Sequence, residues 1–232
     1  MGKPDIIYED NDIIICYKPA GIATQTRRIG QQDMESFIRN YRAAKNEPPY
    51  VGIVHRLDQP VEGVMVFAKN QKAAASLSRQ IKEHTTEKYY RAASRGQGVS
   101  GAAVEDEEAW HTLTDYISFD KLTNTSKITS EKDKLAKKAV LQYRIISKEC
   151  NKTEFDIKLL TGRHHQIRLQ LANIGYPLIG DTKYGKPASN NSGTGSKSGR
   201  TGGGVREQLA LCSYKLVFDH PATGERMTFE LP

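Results

Sequence analysis

The 232-residue sequence has few cysteines, no long apolar run and no recognisable targeting segment. No stretch approaches the roughly 18 consecutive apolar residues of a membrane-spanning helix, which excludes a transmembrane class. The N-terminus lacks the basic-then-apolar layout of a secretory signal. Cys16, Cys150 and Cys212 lie far apart and outside any Cys-x-x-Cys pair, which argues against a disulfide framework or a cysteine zinc site. We therefore expect a cytoplasmic protein, without a membrane partner, whose cysteines are reduced, space-filling thiols.

What the sequence does contain is an excess of positive charge in two regions. Lysine and arginine exceed the acids by 34 − 27 = +7, and the isoelectric point is near 9.2. Residues 121–152 hold nine basic residues against three acids, and residues 163–206 hold seven against one. Residues 99–120, in contrast, hold six acids and no lysine or arginine. The basic clusters indicate a polyanionic partner, most simply nucleic acid, although the same lysines would also suit a merely solvated face.

The apolar patterning predicts strands more often than helices. Strand-like runs recur at 5–18 (two strands around a turn), 63–69, 88–93, 141–146, 154–160, 214–218 and 227–231. Helical spacing predicts one helix through Met34, one after an Asn70 N-cap, and one over 163–174 with Thr161 as its N-cap. Because strands and helices do not strictly alternate, we predict an α+β fold with a mixed, largely antiparallel central sheet flanked by helices and loops.

One segment stands apart from this pattern. Residues 189–204 are rich in glycine and serine and contain no apolar side chain, which predicts a flexible surface loop. The sequence on both sides of it has ordinary globular character. We therefore expect one domain over residues 1–232 with this loop as an insertion.

Three polar clusters are candidates for chemistry. HRLD at 55–58 follows an apolar run, KYYRA spans 88–92 and TGRHHQIR spans 161–168. Taken singly, each has an ordinary interpretation: the aspartate forms a turn, the tyrosines pack, and the last cluster begins a helix that attracts an anion. A metal site at His164 and His165 is disfavoured, because adjacent helical residues diverge by about 100°.

Together and in this order, the clusters resemble the motifs of the RluA-type RNA pseudouridine synthases. The matching segments are HRLDQPVEG, KYYRA and TGRHHQIRLQLANIGYPLIGDTKYG, with Lys18-Pro19-Ala20-Gly21 near the start and FDHPATGERMTFELP at the end. The resemblance implies the pseudouridine synthase fold, with an active-site cleft across the sheet. It further implies an enzyme that isomerises specific uridines of ribosomal or transfer RNA to pseudouridine, with no metal and no organic cofactor.

The resemblance also assigns roles to individual residues. Asp58 matches the essential aspartate, which acts on a flipped-out uridine either by attacking C1′ or by removing a proton from C2′. Tyr90 matches the tyrosine beside the uracil, a candidate base for the C5 proton, and Arg168 matches the arginine that pairs with the aspartate. Arg56 matches a residue that fills the gap left by the flipped base. The other expected RNA-binding residues are His55 (which could instead shape the loop), Lys88, Arg163, His165 and Gln166.

Two places depart from the family pattern. Val61 and Glu62 stand where the family typically carries Thr-Ser, and Cys212 and Ser213 stand where it often carries His-Ala. The missing hydroxyls remove hydrogen bonds that would hold the Asp58 loop, so a non-catalytic RNA-binding or ribosome-assembly protein on the same scaffold is an alternative. A carboxylate glycosidase is a third hypothesis, and it needs a second carboxylate about 5–9 Å from Asp58, for which only Glu62 is close in sequence.

No small N-terminal RNA-binding domain is expected before the catalytic domain. The catalytic domain itself, acting as a monomer, is therefore expected to bind the RNA. Its basic surface would bind the phosphates of the RNA, and the acidic stretch at 99–120 would face away from the RNA.

Overall fold

The computed structural model of the protein describes residues 4–26, 28, 30–95, 109–185 and 207–232. The glycine- and serine-rich segment at 189–204 lies outside the described residues, as does the part of the acidic stretch before residue 109. None of the helices in the described part of the chain combines the length and the apolar character that a membrane span needs.

The described residues form eleven strands and three helices. The strands are β1 (Asp5–Glu9), β2 (Ile13–Lys18), β3 (Gly52–Ile53), β4 (Glu62–Ala68), β5 (Glu87–Ser94), β6 (His111–Asp120), β7 (Thr125–Thr129), β8 (Lys137–Glu149), β9 (Lys152–Leu159), β10 (Leu211–Asp219) and β11 (Arg226–Glu230). The helices are α1 (Met34–Ala44), α2 (Gln71–Lys82) and α3 (Gln166–Asn173).

All eleven strands belong to one open sheet. Its main order is β1-β2-β4-β10-β5-β9-β8-β6-β7, with β3 added to β4 and β11 added to β10. Among the described strands only β4 and β10 pair in parallel, and the other pairs are antiparallel. The predicted α+β class with a mixed, largely antiparallel sheet is confirmed.

The apolar runs of β2 and β4 are continuous because both faces of these strands are covered. On one face, Met34 and Ile38 of α1 pack in the same core as Ile14 and Met65. On the other face, Leu77 of α2 packs in a second core with strand residues that include Ile13 and Val66. Successive strand residues point to opposite faces, so β2 and β4 each contribute side chains to both cores.

The three cysteines are free, but they do not share one environment. Cys16 is fully buried in β2, and burial raises the pKa of its thiol. Cys212 is half-buried, and burial raises its pKa to about 12. Cys150 is exposed at the turn between β8 and β9, so the prediction that all three fill space is wrong for this residue.

The start of α3 also differs from the prediction. The helix begins at Gln166, and its N-cap residue His165 has a left-handed backbone (φ 54°) and makes no side-chain capping bond. Thr161 is therefore not the N-cap. Its hydroxyl instead accepts a hydrogen bond from the Val140 N–H and donates one to Gln166 Oε1, each at 2.8 Å. These bonds tie the turn before α3 to strand β8.

Candidate active site

Asp58 lies where two cavities meet. The wide cavity, of about 1660 Å³, runs from the loop after β2 to the β6–β7 hairpin. The narrow cavity, of about 520 Å³, lies between the Asp58 loop, β5 and α3. Both are lined by Arg56, Asp58 and Arg168 and by the turn at 162–165. A group bound in either cavity therefore has access to the Asp58 carboxylate.

The narrow cavity brings together all nine residues that the sequence singled out. Asp58, Tyr90 and Arg168, the predicted catalytic residues, line it. So do the predicted RNA-binding residues, which are His55, Arg56, Lys88, Arg163, His165 and Gln166. Three segments far apart in sequence thus converge on one site, whereas the roles of the individual residues stay predictions.

The Asp58 loop is held by the segment that follows β2. The fully buried Lys18 points its ammonium at the carbonyls of Pro19, Ile22 and Gln59, at 3.1, 2.6 and 3.2 Å. The Thr24 hydroxyl donates to the Leu57 carbonyl and accepts from the Leu57 N–H, at 2.9 and 3.1 Å. These bonds explain why a Lys-Pro segment near the start of the chain belongs with the distant HRLD cluster.

We predict that Lys18→Met lowers turnover by about 10- to 100-fold through misplacement of the Asp58 carboxylate. Methionine fills a similar volume but donates no hydrogen bond, so three carbonyls lose their donor. RNA affinity should stay near the wild-type value, because Lys18 lines neither cavity. Single-turnover kinetics together with a binding titration would check this. Equal losses of affinity and rate, or wild-type turnover, would contradict the positioning role.

Arg168 has a closer partner than Asp58. Its guanidinium donates two hydrogen bonds of 2.8 Å to the buried Asp181 carboxylate, whereas its Nη1 lies 3.6 Å from Asp58 Oδ2. Burial alone would raise the pKa of Asp181, but the hydrogen bonds and charge of Arg168, together with the N–H groups of Lys183 and Tyr184, outweigh it and lower the pKa. The predicted pairing of Arg168 with Asp58 is therefore only the looser of two ion pairs. Sequence reasoning missed Asp181 as the partner of Arg168, although it lies in the matching segment GDTKYG.

Two histidines of the site are held in the neutral form. Burial, followed by the nearby Arg168 charge, lowers the pKa of His165 to about 3. Its Nε2 lies 3.6 Å from Asp58 Oδ2, and its Nδ1 is 2.9 Å from the Tyr184 hydroxyl. Burial likewise lowers the pKa of His55 to about 3, and its Nε2 accepts a hydrogen bond from the Val66 N–H. For His55 this geometry favours the role of shaping the loop.

Tyr90 is buried and lines the narrow cavity. Burial raises the pKa of its hydroxyl above the usual tyrosine value, and the Asp58 charge raises it further. The phenol is therefore protonated at neutral pH. Lys88 lines the same cavity, and burial lowers the pKa of its ammonium. No carboxylate among the described residues forms an ion pair with Lys88, which leaves its charge available to a ligand.

The remaining predicted RNA-binding residues differ in how they are held. Arg56 is exposed and lines both cavities. Arg163 donates from Nε to the Lys138 carbonyl at 2.9 Å. Gln166 is buried, and its Oε1 accepts from the Arg163 N–H at 3.0 Å, while its Nε2 has no hydrogen-bond partner. A ligand in the narrow cavity would supply the missing acceptor for that amide.

Glu62 does not line either cavity. Its carboxylate accepts hydrogen bonds from the Tyr17 hydroxyl at 2.8 Å and from Gln208 Nε2 at 3.0 Å. In the narrow cavity Asp58 is the only carboxylate among the described residues. The second carboxylate required by the glycosidase hypothesis is thus missing from the described part of this cavity.

The acidic stretch does not lie wholly away from the site. Asp120, its last member, ends β6 and lines the wide cavity. Its carboxylate accepts from the Leu122 N–H and the Thr123 hydroxyl of its own turn. Strand β6 carries it there because β6 and β7 form a hairpin that reaches across the cleft.

Metal-ligating side chains cluster at a different place. Asp10, Asp12 and His220 are close enough to share an ion. However, both oxygens of Asp10 already accept hydrogen bonds, Oδ1 from the N–H groups of Asp12 and Ile13, and Oδ2 from the Tyr8 hydroxyl. His220 Nε2 also lies 3.0 Å from Oδ2. Asp10, Asp12 and His220 therefore belong to a contact that their own hydrogen bonds stabilise without an ion.

Comparison with known proteins gives one consistent family. Residues 12–173 match the family model described as RNA pseudouridylate synthase. The chain is 32% identical over 231 residues to the ribosomal large subunit pseudouridine synthase D of Vibrio parahaemolyticus, an alignment that covers 98% of this chain and 66% of that protein. It is also 32% identical over 234 residues to the uncharacterized RNA pseudouridine synthase YhcT of Bacillus subtilis. That alignment covers 100% of this chain and 69% of that protein. The chain thus spans about two thirds of the length of these relatives.

Solved structures agree with the fold. The human RNA pseudouridylate synthase domain containing 4 superposes with a TM-score of 0.70 at 18% identity, over 98% of this chain and 87% of that one. The human RNA pseudouridylate synthase domain containing 1 superposes with a TM-score of 0.69 at 23% identity, over 99% of this chain and 83% of that one.

Proposed function

Because the chain belongs to the RNA pseudouridylate synthase family, we propose that it isomerises specific uridines to pseudouridine in large-subunit ribosomal RNA. The choice of RNA is supported by relatives at about one third identity that are named for the ribosomal large subunit. Transfer RNA is the competing substrate. We further propose one catalytic domain that acts as a monomer in the cytoplasm, without a metal or an organic cofactor.

The observation that carries this proposal is the convergence of Asp58, Tyr90 and Arg168 on one cavity. In the proposed reaction the N1–C1′ bond breaks, the uracil rotates, and a C5–C1′ bond forms. The proton leaves C5 and a proton is gained at N1, so the product is an isomer of the substrate. Asp58 acts at the sugar, by attack on C1′ or by removal of the C2′ proton, and either route needs an ionised carboxylate. Arg168 Nη1, 3.6 Å from Asp58 Oδ2, places a positive charge beside that carboxylate.

Tyr90 is proposed to pack against the uracil. Because its pKa is raised by burial, the phenol is protonated in the free enzyme and cannot accept a proton there. Removal of the C5 proton by Tyr90 therefore requires that the bound substrate shift the pKa back. The uncharged Ser213 beside it is a donor that lowers the pKa, though by less than burial raises it.

Access to the narrow cavity is proposed to require that the uridine flips out of the RNA. The Asp58 side chain is recessed and only 30% exposed, so its carboxylate can contact only groups that enter the cleft. A stacked base cannot reach such a carboxylate, and unstacking costs a few kcal/mol that protein contacts must offset. Arg56 is exposed, lines both cavities and is suited to occupy the space that the base leaves.

The non-catalytic alternative loses its main support. It rested on the absence of Thr and Ser hydroxyls at positions 61 and 62. The Asp58 loop, however, is held by Lys18 and Thr24 and by the Val61 N–H, which donates to the Asp58 carbonyl at 3.0 Å. The Val61 side chain is buried in the core. The loop that carries Asp58 is thus fixed without those hydroxyls.

Pseudouridine mapping of total RNA from cells with and without the gene tests the proposed function. We expect at least one site in large-subunit ribosomal RNA to disappear on deletion and to return with the wild-type gene. A site that is lost only from transfer RNA would replace the proposed substrate. An unchanged map would contradict the proposed function.

A further inference from the structure

Three aromatic rings form a continuous row from the β6–β7 hairpin to Asp58. The Phe119 and His164 ring centroids are 4.3 Å apart, and those of His164 and His165 are 3.7 Å apart. His165 Nε2 in turn lies 3.6 Å from Asp58 Oδ2. The ring pairs are tilted, at 51° and 31°, and the hairpin thereby places the Phe119 ring two rings away from the His165–Asp58 contact. Neither the reaction steps nor the family motifs use Phe119.

The hairpin is anchored to the active-site turn by polar bonds. The Ser126 hydroxyl donates to the His164 carbonyl at 2.9 Å and lies 3.0 Å from His164 Nδ1, so the latter bond requires a proton on Nδ1. The Ser126 N–H donates to the Tyr184 hydroxyl at 2.9 Å. Lys183 Nζ also donates to the Asn124 carbonyl. The row of rings is therefore a fixed part of the site.

Phe119 is unusual because its ring is 41% exposed and lines the wide cavity. Leu135, which is 77% exposed, lines the same cavity. The described lining contains eight basic and three acidic residues, a local charge of 8 − 3 = +5. Three of the basic residues, Lys121, Lys127 and Lys137, border the hairpin itself. A partner that carries negative charges and also has a flat apolar surface would match these exposed apolar side chains and the cations around them.

We propose that Phe119 is a stacking platform for an unpaired nucleobase that flanks the target uridine. The inference rests on the proposed function and extends it to the RNA segment that enters the wide cavity. Single-stranded RNA offers both properties at once, since its bases stack on aromatic rings while its phosphates meet lysines. A base stacked on Phe119 would continue the row of rings and fix the distance between the flanking nucleotide and Asp58. Phe119 would thus help to select which uridine reaches the narrow cavity.

Tryptophan fluorescence tests the proposed stacking directly. Trp110 is the only tryptophan in the sequence, so Trp110→Phe provides a silent background for Phe119→Trp. Addition of a short single-stranded oligouridylate should quench the new tryptophan, and an RNA duplex of the same length without unpaired nucleotides should quench it far less. Leu122→Trp in the same background is the matched control, because Leu122 is 98% exposed on the same hairpin and does not line the cavity.

Kinetics give the second measurement. Phe119→Ala should weaken binding of the oligouridylate by roughly tenfold and raise KM for RNA more than it lowers kcat. Phe119→Leu keeps an apolar contact with the His164 ring but offers no flat face, so it should show the same loss of affinity with a wild-type melting temperature. Leu122→Ala should change neither quantity.

The outcomes separate this inference from the proposed function. Wild-type affinity in Phe119→Leu, or a tryptophan at 119 that saturating RNA does not quench, overturns the stacking platform even if the enzyme isomerises uridine. Quenching with no isomerisation of any RNA would instead support the platform and contradict the proposed function. A duplex that quenches as strongly as the single strand would overturn the proposed preference for an unpaired base.

Discussion

Replacement of Asp58 by asparagine is expected to abolish isomerisation, on the order of 10⁴-fold or more, while RNA affinity stays within a few-fold of wild type. Asparagine preserves the shape of the side chain but can neither attack C1′ nor hold a proton from C2′. The loop should keep its place, because the Val61 N–H donates to the main-chain carbonyl of Asp58, which the substitution leaves unchanged. Loss of one negative charge should if anything favour RNA binding.

Asp120→Asn is the matched control for this substitution. It changes another aspartate on the wall of the wide cavity to its amide. The asparagine Oδ1 can still accept from the Leu122 N–H, and its Nδ2 can donate to the Thr123 hydroxyl in place of the bond that the second carboxylate oxygen accepted. We expect it to retain turnover. The measurement is release of the C5 proton as tritium from labelled RNA, with a filter-binding titration alongside. Substantial turnover by Asp58→Asn would refute the proposed role of Asp58.

Arg168→Met is expected to remove activity and to lower the free energy of unfolding by about 3 kcal/mol, because the buried Asp181 carboxylate loses its cation. For a chain of this length the melting temperature should fall by roughly 6–12 °C. The bidentate bonds from Arg168 to Asp181, at 2.8 Å each, make this loss larger than removal of the looser contact to Asp58 would.

A second substitution separates stability from catalysis at this pair. In Arg168→Met/Asp181→Asn the buried charge is gone, and the asparagine oxygen can still accept the N–H groups of Lys183 and Tyr184. We expect thermal unfolding of the double variant to recover most of the lost stability, with activity still absent because Asp58 lacks its cation. Recovery of activity along with stability would show that Arg168 acts only as a structural residue.

The same pair makes the stability of the protein depend on acid pH. The pKa of Asp181 is lowered in the folded protein, so its contribution is present above the ordinary aspartate value, near pH 4, and is lost as the pH falls through the lower folded value. Arg168→Met/Asp181→Asn should lack this acid-dependent loss.

The sequence predicted the helices and strands whose apolar spacing is regular. The Asn70 cap is one example, since its Oδ1 accepts from the Ala73 N–H as expected. Strands β6 and β7 were missed, because β6 has only a weak alternation in which Ile117 and Ser118 are buried and its other residues are partly or fully exposed. Thr161 fits the N-cap pattern locally, but a tertiary contact with Val140 on β8 engages its hydroxyl.

The candidate site was predictable to the extent that it is made of contiguous motifs. Asp58, Tyr90 and Arg168 lie in such motifs, and the fold brings them together. The partner of Arg168 could not be identified by spacing, because Asp181 and Asp58 are equally plausible carboxylates until their distances are known. Phe119 was missed for a similar reason. Its position depends on how the hairpin crosses the cleft, and no local pattern encodes that crossing.

The position of strand β10 in the sheet affects the order in which the protein can fold during translation. The strand lies between β4 and β5 and pairs with both, so it joins the part of the sheet that positions Asp58 to the part that carries Tyr90. At its contact with β4, Gly63 (φ 136°) lies so close to the Ser213 carbonyl that a Cβ would be 2.3 Å from the oxygen. Residues 211–219 are synthesised after every other element except β11. Until β10 is synthesised, both neighbouring strands therefore present unpaired edges, which are prone to aggregation, and the sheet that holds Asp58 and Tyr90 in one site is incomplete.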